Sequence, residues 1–389
     1  MLFLFVNICY NMVCYKGKFM KVERSFVTVN LSNLKYNYEQ IKSKMYPNEK
    51  MACVVKANAY GHGDKEISKE LENFGVDFFC VASLSEALNL RSVLKKETNI
   101  LILGFTPYDY IDEVVENGII QTITSVEVLE NLYKYSDKLI KVHLALDTGM
   151  SRIGLQINDD LDKYINFALD HYDVDGIFTH MSTADCMSNE LKEFSELQKS
   201  RYKEVYLKYK NKIKNFHYKN SASIIRGFEN YGNIVRPGII IYGMNPSDEV
   251  ADFIDLKPLI EWKSVISSVR TIQKGDAIGY GNTFVASQEM KIATISSGYA
   301  DGYNRSLSNK GGVLINGKFA PIVGRVCMDQ FMVDVTNIED VHSNMLATLI
   351  GKDGDLQITA DDIANLYGTV NYDVVCALTN RVKRIYIKE

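Results

Sequence analysis

The stretch "VVKANAYGHG" at 54–63 ends an apolar run on Lys56 and follows it with a tyrosine and two glycines. Further along, other apolar runs end on groups able to do chemistry: Asp147 with Arg152 just beyond, His180, and Asn220 with Ser221. Arg236 leads into the last such run. Taken singly, a lysine at a strand end is usually a surface charge and a lone histidine usually structural. Taken together, the set is rich in cationic and hydrogen-bonding groups. An amine that serves as a nucleophile must be partly desolvated so that its pKa falls, and an apolar strand supplies that setting.

A second requirement emerges from the same residues. Binding a phosphate calls for backbone N–H groups unhindered by side chains, together with hydroxyl donors. "NSAS" at 220–223, "RPGI" at 236–239 and Tyr60 in "AYGHG" are sources of both. A lysine, a phosphate cradle and an arginine near an aromatic ring describe pyridoxal phosphate held as a Schiff base.

Those groups must be positioned by repeated elements. Strand-like runs fall at 51–56, 78–82, 100–104, 119–124, 141–147, 174–180, 215–220 and 238–243. Between the first two, Ile67, Leu71 and Phe74 share one helical face; after the second, Leu84, Leu88 and Leu94 do so. Eight strands alternating with helices predict a parallel sheet, and eight strands close a barrel. In such a barrel the strand C-termini face the site, where the residues above fall. An open doubly wound sheet is the rival, but no GxGxxG opens the first strand–helix turn. The fold class read here is α/β: an N-terminal (β/α)8 TIM-type barrel over 20–255, then a mostly β C-terminal domain over 256–389. That second part is rich in β-branched residues and glycine turns, with a hairpin at 316–318 and one helix at 359–367. Strand 25–31 can join either domain.

Composition bounds the function. A formal net charge of −4 gives no reason to expect nucleic acid or an anionic membrane as partner. The seven cysteines lack CxxC or regular spacing, which predicts reduced thiols in a cytoplasmic protein rather than a disulfide framework or a metal site. Residues 1–19 are apolar but have no basic n-region or cleavage site, and are expected to form an extension outside the fold.

"VVKANAYGHG" resembles the cofactor-attachment motif of the bacterial alanine racemases. "DTGMSRIG" (147–154), "THMSTAD" (179–185), "NSAS", "RPGIIIYG" (236–243), "IGYGNTF" (278–284), "SGYADGYNR" (297–305), "PIVGRVCMDQFMVDV" (321–335) and "NYDVV" (371–375) follow in the family's order. The resemblance spans 24–389. It implies a pyridoxal-phosphate-dependent isomerase that interconverts L- and D-alanine and supplies D-alanine for peptidoglycan. It further implies a homodimer with shared active sites.

By that resemblance Lys56 carries the cofactor and then acts as one base, while Tyr280 is the second, supplied by the other subunit. Two bases on opposite faces of the Cα need only a proton in and a proton out. A tyrosine base titrates near 10 unaided, so a cationic neighbour is expected to favour its phenolate. His180 matches the histidine bonded to this tyrosine, with Arg236 behind it. Arg236 also matches the residue facing the pyridine nitrogen. Being unable to give up a proton readily, it would leave that nitrogen unprotonated. Arg152 corresponds to an arginine near the substrate carboxylate, joined there by Met328 and Asp329, with Tyr299 at the entrance. The cofactor phosphate and its surroundings fall to Tyr60, Asn220, Ser221, Gly238, Ile239 and Tyr372.

One departure stands out. Many members of that family carry a carbamylated lysine two residues before the aspartate of "DTGM", where this chain has Ala145. Ser151 replaces a frequent glycine nearby. The resemblance leaves open a racemase of the same fold that prefers serine or accepts many amino acids. A decarboxylase on the same barrel is more distant, because Cys327 in "CMDQ" does not sit in a proton-donor motif.

Overall fold

A computed structural model describes residues 12–15, 18–21 and 23–388. The chain divides into two compact units: Asn33–Pro258, and a second built from the stretch ending at Ser32 together with Leu259 onward. Most of the expected extension at 1–19 lies outside the described residues. Within it, Met12–Tyr15 pairs antiparallel with Lys18–Lys21.

The strand-like runs of the first unit become parallel strands because they are apolar, β-rich and mostly separated by helical segments. With β1 reserved for Ser25–Asn30, they are β2 (Lys50–Met51) continued by β3 (Cys53–Val54), then β4 (Phe78–Val81), β5 (Asn99–Ile102) and β6 (Ile120–Ile123). β7 (Lys141–Asp147), β8 (Asp173–Phe178), β9 (Asn215–His217) and β10 (Ile234–Val235) complete the set. From β3 to β9 each pairs parallel with the next. β10 closes the ring. It pairs with β2 on one side and, on the other, Asn233 N–H donates to Phe216 O and Arg236 N–H to Lys219 O.

The eighth strand is not the run 238–243 but Ile234–Val235, separated from that run by Arg236 and Pro237. Ile239–Tyr242 forms a 3-10 turn. An apolar run has no periodicity that separates buried strand from buried helix, and Pro237 lacks the N–H that a continuing ladder needs. Lys219 is buried against Glu49 at 2.6 Å, both side chains almost fully enclosed, with its ammonium 4.4 Å from the Tyr46 ring centroid. Burial pushes the Lys219 pKa down, and the Glu49 hydrogen bond and charge offset part of that.

In the second unit, β11 (Ile260–Ile272) is the long central strand. It pairs with β12 (Met290–Ile295), β13's neighbour Leu346–Asp353 and β1, where β13 is Gly312–Ile315. β1 joins this sheet rather than the barrel, pairing also with Lys383–Ile387 in parallel. The hairpin at 316–318 is present: Asn316 and Gly317 both have positive φ, joining β13 to Lys318–Pro321. The helix appears as Ala360–Tyr367, capped by Thr359 in a capping box with Asp362. Among the described residues no helix is long and apolar enough to cross a membrane.

Removing one partner of a buried ion pair strands the other charge. Lys219→Met is expected to lower barrel stability by about 3 kcal/mol or more, read as a lower urea midpoint. Adding Glu49→Leu should recover most of the loss; no recovery would mean the pair's charges are not the source.

Candidate active site

Lys56 opens the turn after β3, and that turn is left-handed. Ala57, Asn58, Ala59 and Tyr60 all have φ between 51° and 54°. For L-residues this costs about 1–2 kcal/mol each, so the surroundings must enforce it. They do so with several bonds. Glu86 accepts from the Ala57 N–H at 2.7 Å, Asn58 Oδ1 accepts from the Asp64 N–H, and Gly61 and Gly63 donate back to Ala57 and Asn58 carbonyls. The buried His62 donates from Nδ1 to the carbonyls of Ala59 and Tyr60, at 3.0 and 2.9 Å. Strain held this way concentrates at functional sites.

The turn brings the buried Tyr60 to the loop after β10. A Cβ on Gly238 would meet the Tyr60 hydroxyl at 3.1 Å and Ser221 Oγ at 3.7 Å. Gly238 N–H donates to Ser221 Oγ at 2.9 Å. Two hydroxyls thus converge beside a backbone kept bare of side chain, a donor set suited to an anion. Asn220 lies next to Ser221, but its amide is engaged in the fold: Oδ1 accepts from Ser223 N–H and Oγ, and Nδ2 donates to Met181 O. Its part is to place Ser221. Ile239 begins the 3-10 turn directly after Gly238.

Arg236 is 3% exposed and stands at the hub. Nη1 donates to His217 Nδ1 at 2.6 Å and to His217 O at 2.9 Å; Nη2 donates to Thr179 O at 2.7 Å and reaches His180 Nδ1 at 3.5 Å. Burial brings its pKa down to about 10, leaving it charged. His180 is pushed down to about 3, first by burial and then by the charges of Arg236, Arg152 and Lys56. His180 is therefore neutral, and its Nδ1 is the acceptor toward Arg236, which leaves the proton on Nε2. The positive charge beside His180 is that of Arg236, not of the imidazole.

Sequence reasoning missed His143 and His217. His143 has the same strand parity in β7 as Ala145 and Asp147, which was the available signal. Both histidines are fully buried, bonded to each other at 2.7 Å, and held neutral, burial being the leading cause.

Arg152 follows a turn in which Asp147 Oδ1 accepts from the Gly149 and Ser151 N–H groups. Ser151 has φ 56°, the left-handed region in which a glycine would be less strained. Arg152 is exposed and lines a cavity of about 20 Å³ with Ala145, Met150, Thr179 and His180. Among the described residues it forms no ion pair.

The second unit holds the rest. Tyr280 is 70% exposed on a turn between Gly279 and Gly281, both at positive φ. Tyr299 and Ala300 donate backbone N–H groups to Cys327 and Met328 carbonyls, stitching the loops of Tyr299 and Met328 together. Asp329 is paired with Arg381 at 2.6 Å, and the buried Asp301 of "GYADG" pairs with Arg24 at 2.7 Å. Tyr372 is half-buried in the first turn of Asn371–Cys376.

Both units match one family. Residues 29–246 match the profile "Alanine racemase, N-terminal domain", and 259–386 match "Alanine racemase, C-terminal domain". The chain belongs to the alanine racemase family. It is 41% identical over 379 residues to the alanine racemase of Clostridium kluyveri, covering 95% of this chain and 96% of that protein. The solved alanine racemase of Clostridium difficile 630 is 35% identical with a TM-score of 0.88, covering 95% of this chain and 97% of that one. That of Bartonella henselae, solved with covalently bound pyridoxal phosphate, is 28% identical with a TM-score of 0.82, covering 94% and 100%.

His143, His180 and His217 share one consequence for pH. Their folded pKa values lie below the unfolded value of about 6.5, so their contribution to stability is complete above that pH. It is lost as the pH falls toward the folded values, about 3 for His180. Stability should drop by about 1.4 kcal/mol per pH unit for each histidine that protonates only on unfolding. Urea titrations from pH 7 down to about 5 measure this; a flat midpoint would contradict the neutral assignments.

Proposed function

We propose that this chain is an alanine racemase, an isomerase that interconverts L- and D-alanine with pyridoxal phosphate. The observation that carries this reading is the convergence in one barrel of Lys56, the Tyr60–Ser221–Gly238 donor set and the buried Arg236. Hydroxyl donors beside a bare glycine backbone fit the cofactor's phosphate. Lys56 supplies the amine that carries it, and Arg236 a donor-only group for its ring nitrogen. Bound there, the cofactor supplies the electron-withdrawing system that acidifies the substrate Cα–H.

The residues divide the remaining work. The Lys56 amine takes or returns a proton at one face of the Cα, and the Tyr280 phenolic oxygen does so at the other. His180, neutral with its proton on Nε2, is the hydrogen-bond donor assigned to the Tyr280 oxygen. The Arg236 charge behind it favours the phenolate. Arg152, with the Met328 backbone and Asp329, holds the substrate carboxylate, and Tyr299 and Tyr372 line the entrance and the phosphate side. The high exposure of Tyr280 on its glycine-flanked turn supports service to the partner in a homodimer with shared sites. The enzyme would supply D-alanine for peptidoglycan in the cytoplasm. Racemisation of serine or of many amino acids is the alternative on the same residues.

Loss of optical activity from L-alanine and L-serine tests the reaction and the substrate together. Lys56→Ala should abolish the near-ultraviolet absorbance of bound cofactor. Tyr280→Phe should keep that absorbance yet lose most turnover, and full turnover would dispose of the two-base assignment. Mixing the two inactive variants should restore activity if subunits share sites. Arg236→Glu should raise the fraction of transaminated by-product; an unchanged fraction would remove the proposed role of the ring-nitrogen contact.

A further inference from the structure

Arg236 is a buried cation with no carboxylate paired directly to it among the described residues. It is nevertheless linked to one. Its Nη1 donates to His217 Nδ1; His217 Nε2 lies 2.7 Å from His143 Nδ1; and His143 Nε2 lies 3.1 Å from Asp175 Oδ2. The two ends fix every proton between them. An arginine can only donate and an ionised aspartate can only accept. Each histidine therefore carries its proton on Nε2 and accepts at Nδ1, and all the hydrogen bonds run from Arg236 to Asp175.

The fold is specifically shaped to make this line. The pairing of β8 with β7 shifts register between Val174 and Gly176, and Asp175 is the extra residue. A bulge of this kind re-aims a side chain; here it turns Asp175 toward His143. Gly176 makes room, since a Cβ there would strike the His143 ring at 2.6–2.8 Å. The Asp175 carboxylate is further held by Lys141 at 3.3 Å and by Asn215 Nδ2 at 2.8 Å. The His217 ring stacks on Phe178 at 4.9 Å, and the Arg236 guanidinium lies 5.2 Å from the centroid of the same Phe178 ring.

We propose that Asp175 is the remote counter-ion of Arg236, acting through His143 and His217 as a positioning residue that holds the guanidinium in its catalytic orientation. The proposal rests on the racemase reading only for its kinetic consequence. Hydrogen bonds in such a chain polarise one another, so a charge at one end is felt at the other. Asp175 touches neither substrate nor cofactor; its effect reaches them through Arg236.

The test combines imidazole NMR with kinetics on the intact enzyme. The chain has six histidines, few enough to assign in 15N-histidine-labelled protein by single substitutions. In Asp175→Asn the low-field N–H resonance of His217, which does not touch residue 175, should move upfield together with that of His143. Turnover should fall about tenfold, the size expected for weakening one charge-assisted hydrogen bond, with KM for alanine within about twofold. In a His143→Gln background, where the chain is already cut, Asp175→Asn should cost no further turnover. An unmoved His217 resonance, or an equal loss in the cut background, overturns the proposal. If Asp175→Asn does not accumulate folded, His143→Gln alone decides: its His217 resonance must shift and its turnover fall, and wild-type turnover overturns the proposal. Absence of racemisation in the wild type would sink the functional reading instead, and the resonances would still judge the relay.

Discussion

The barrel site depends on one buried guanidinium. Arg236 donates to two neighbouring strands' ends, to His217 at the end of β9 and to Thr179 O and His180 in the segment just after β8. A group that only donates dictates the proton position on every acceptor it meets. That is why His180 carries its proton on Nε2 and why the two interior histidines, kept neutral first by burial, are oriented alike. Their burial would be costly if any nitrogen were left unmatched. The polar interior is tolerated because each member's partner is of the required kind.

A second constraint acts on the lysine. The segment after β3 is held through four consecutive left-handed residues, none of them glycine, by Glu86, Asn58 and His62. Propensity alone would not choose this backbone. The same turn that carries Lys56 delivers Tyr60 to Gly238, so the amine and one hydroxyl of the cradle are set by one piece of chain. Rigid placement of reactive groups is worth more to a reaction than loop adaptability.

Much of this was legible in the sequence. Lys56, Arg152, His180, Ser221 and Arg236 end or enter apolar runs, and the motif order carried both domains. The helix at 359–367 and the hairpin at 316–318 follow from local capping and turn chemistry. What was not legible depends on partners distant in sequence. The eighth strand was misplaced because "GIIIY" reads equally as strand or buried turn until Pro237 is seen breaking the ladder. The inward aim of Asp175 arises from a register shift that exists only once β7 is paired beside it. The neutral state of His180 is set by burial and three cations from different elements, and no local pattern encodes that.

The pairing of β1 has a consequence for biosynthesis. Ser25–Asn30 leaves the ribosome before any barrel strand, yet its neighbours are Ile260–Ile272 and the terminal Lys383–Ile387. Through most of translation it is an unpaired, apolar strand with both edges open, the kind of segment that invites mispairing. The barrel sequence is complete long before that strand finds its sheet. The β unit can close only after Lys383–Ile387 has been made, so loss of that strand would leave one edge of Ser25–Asn30 open.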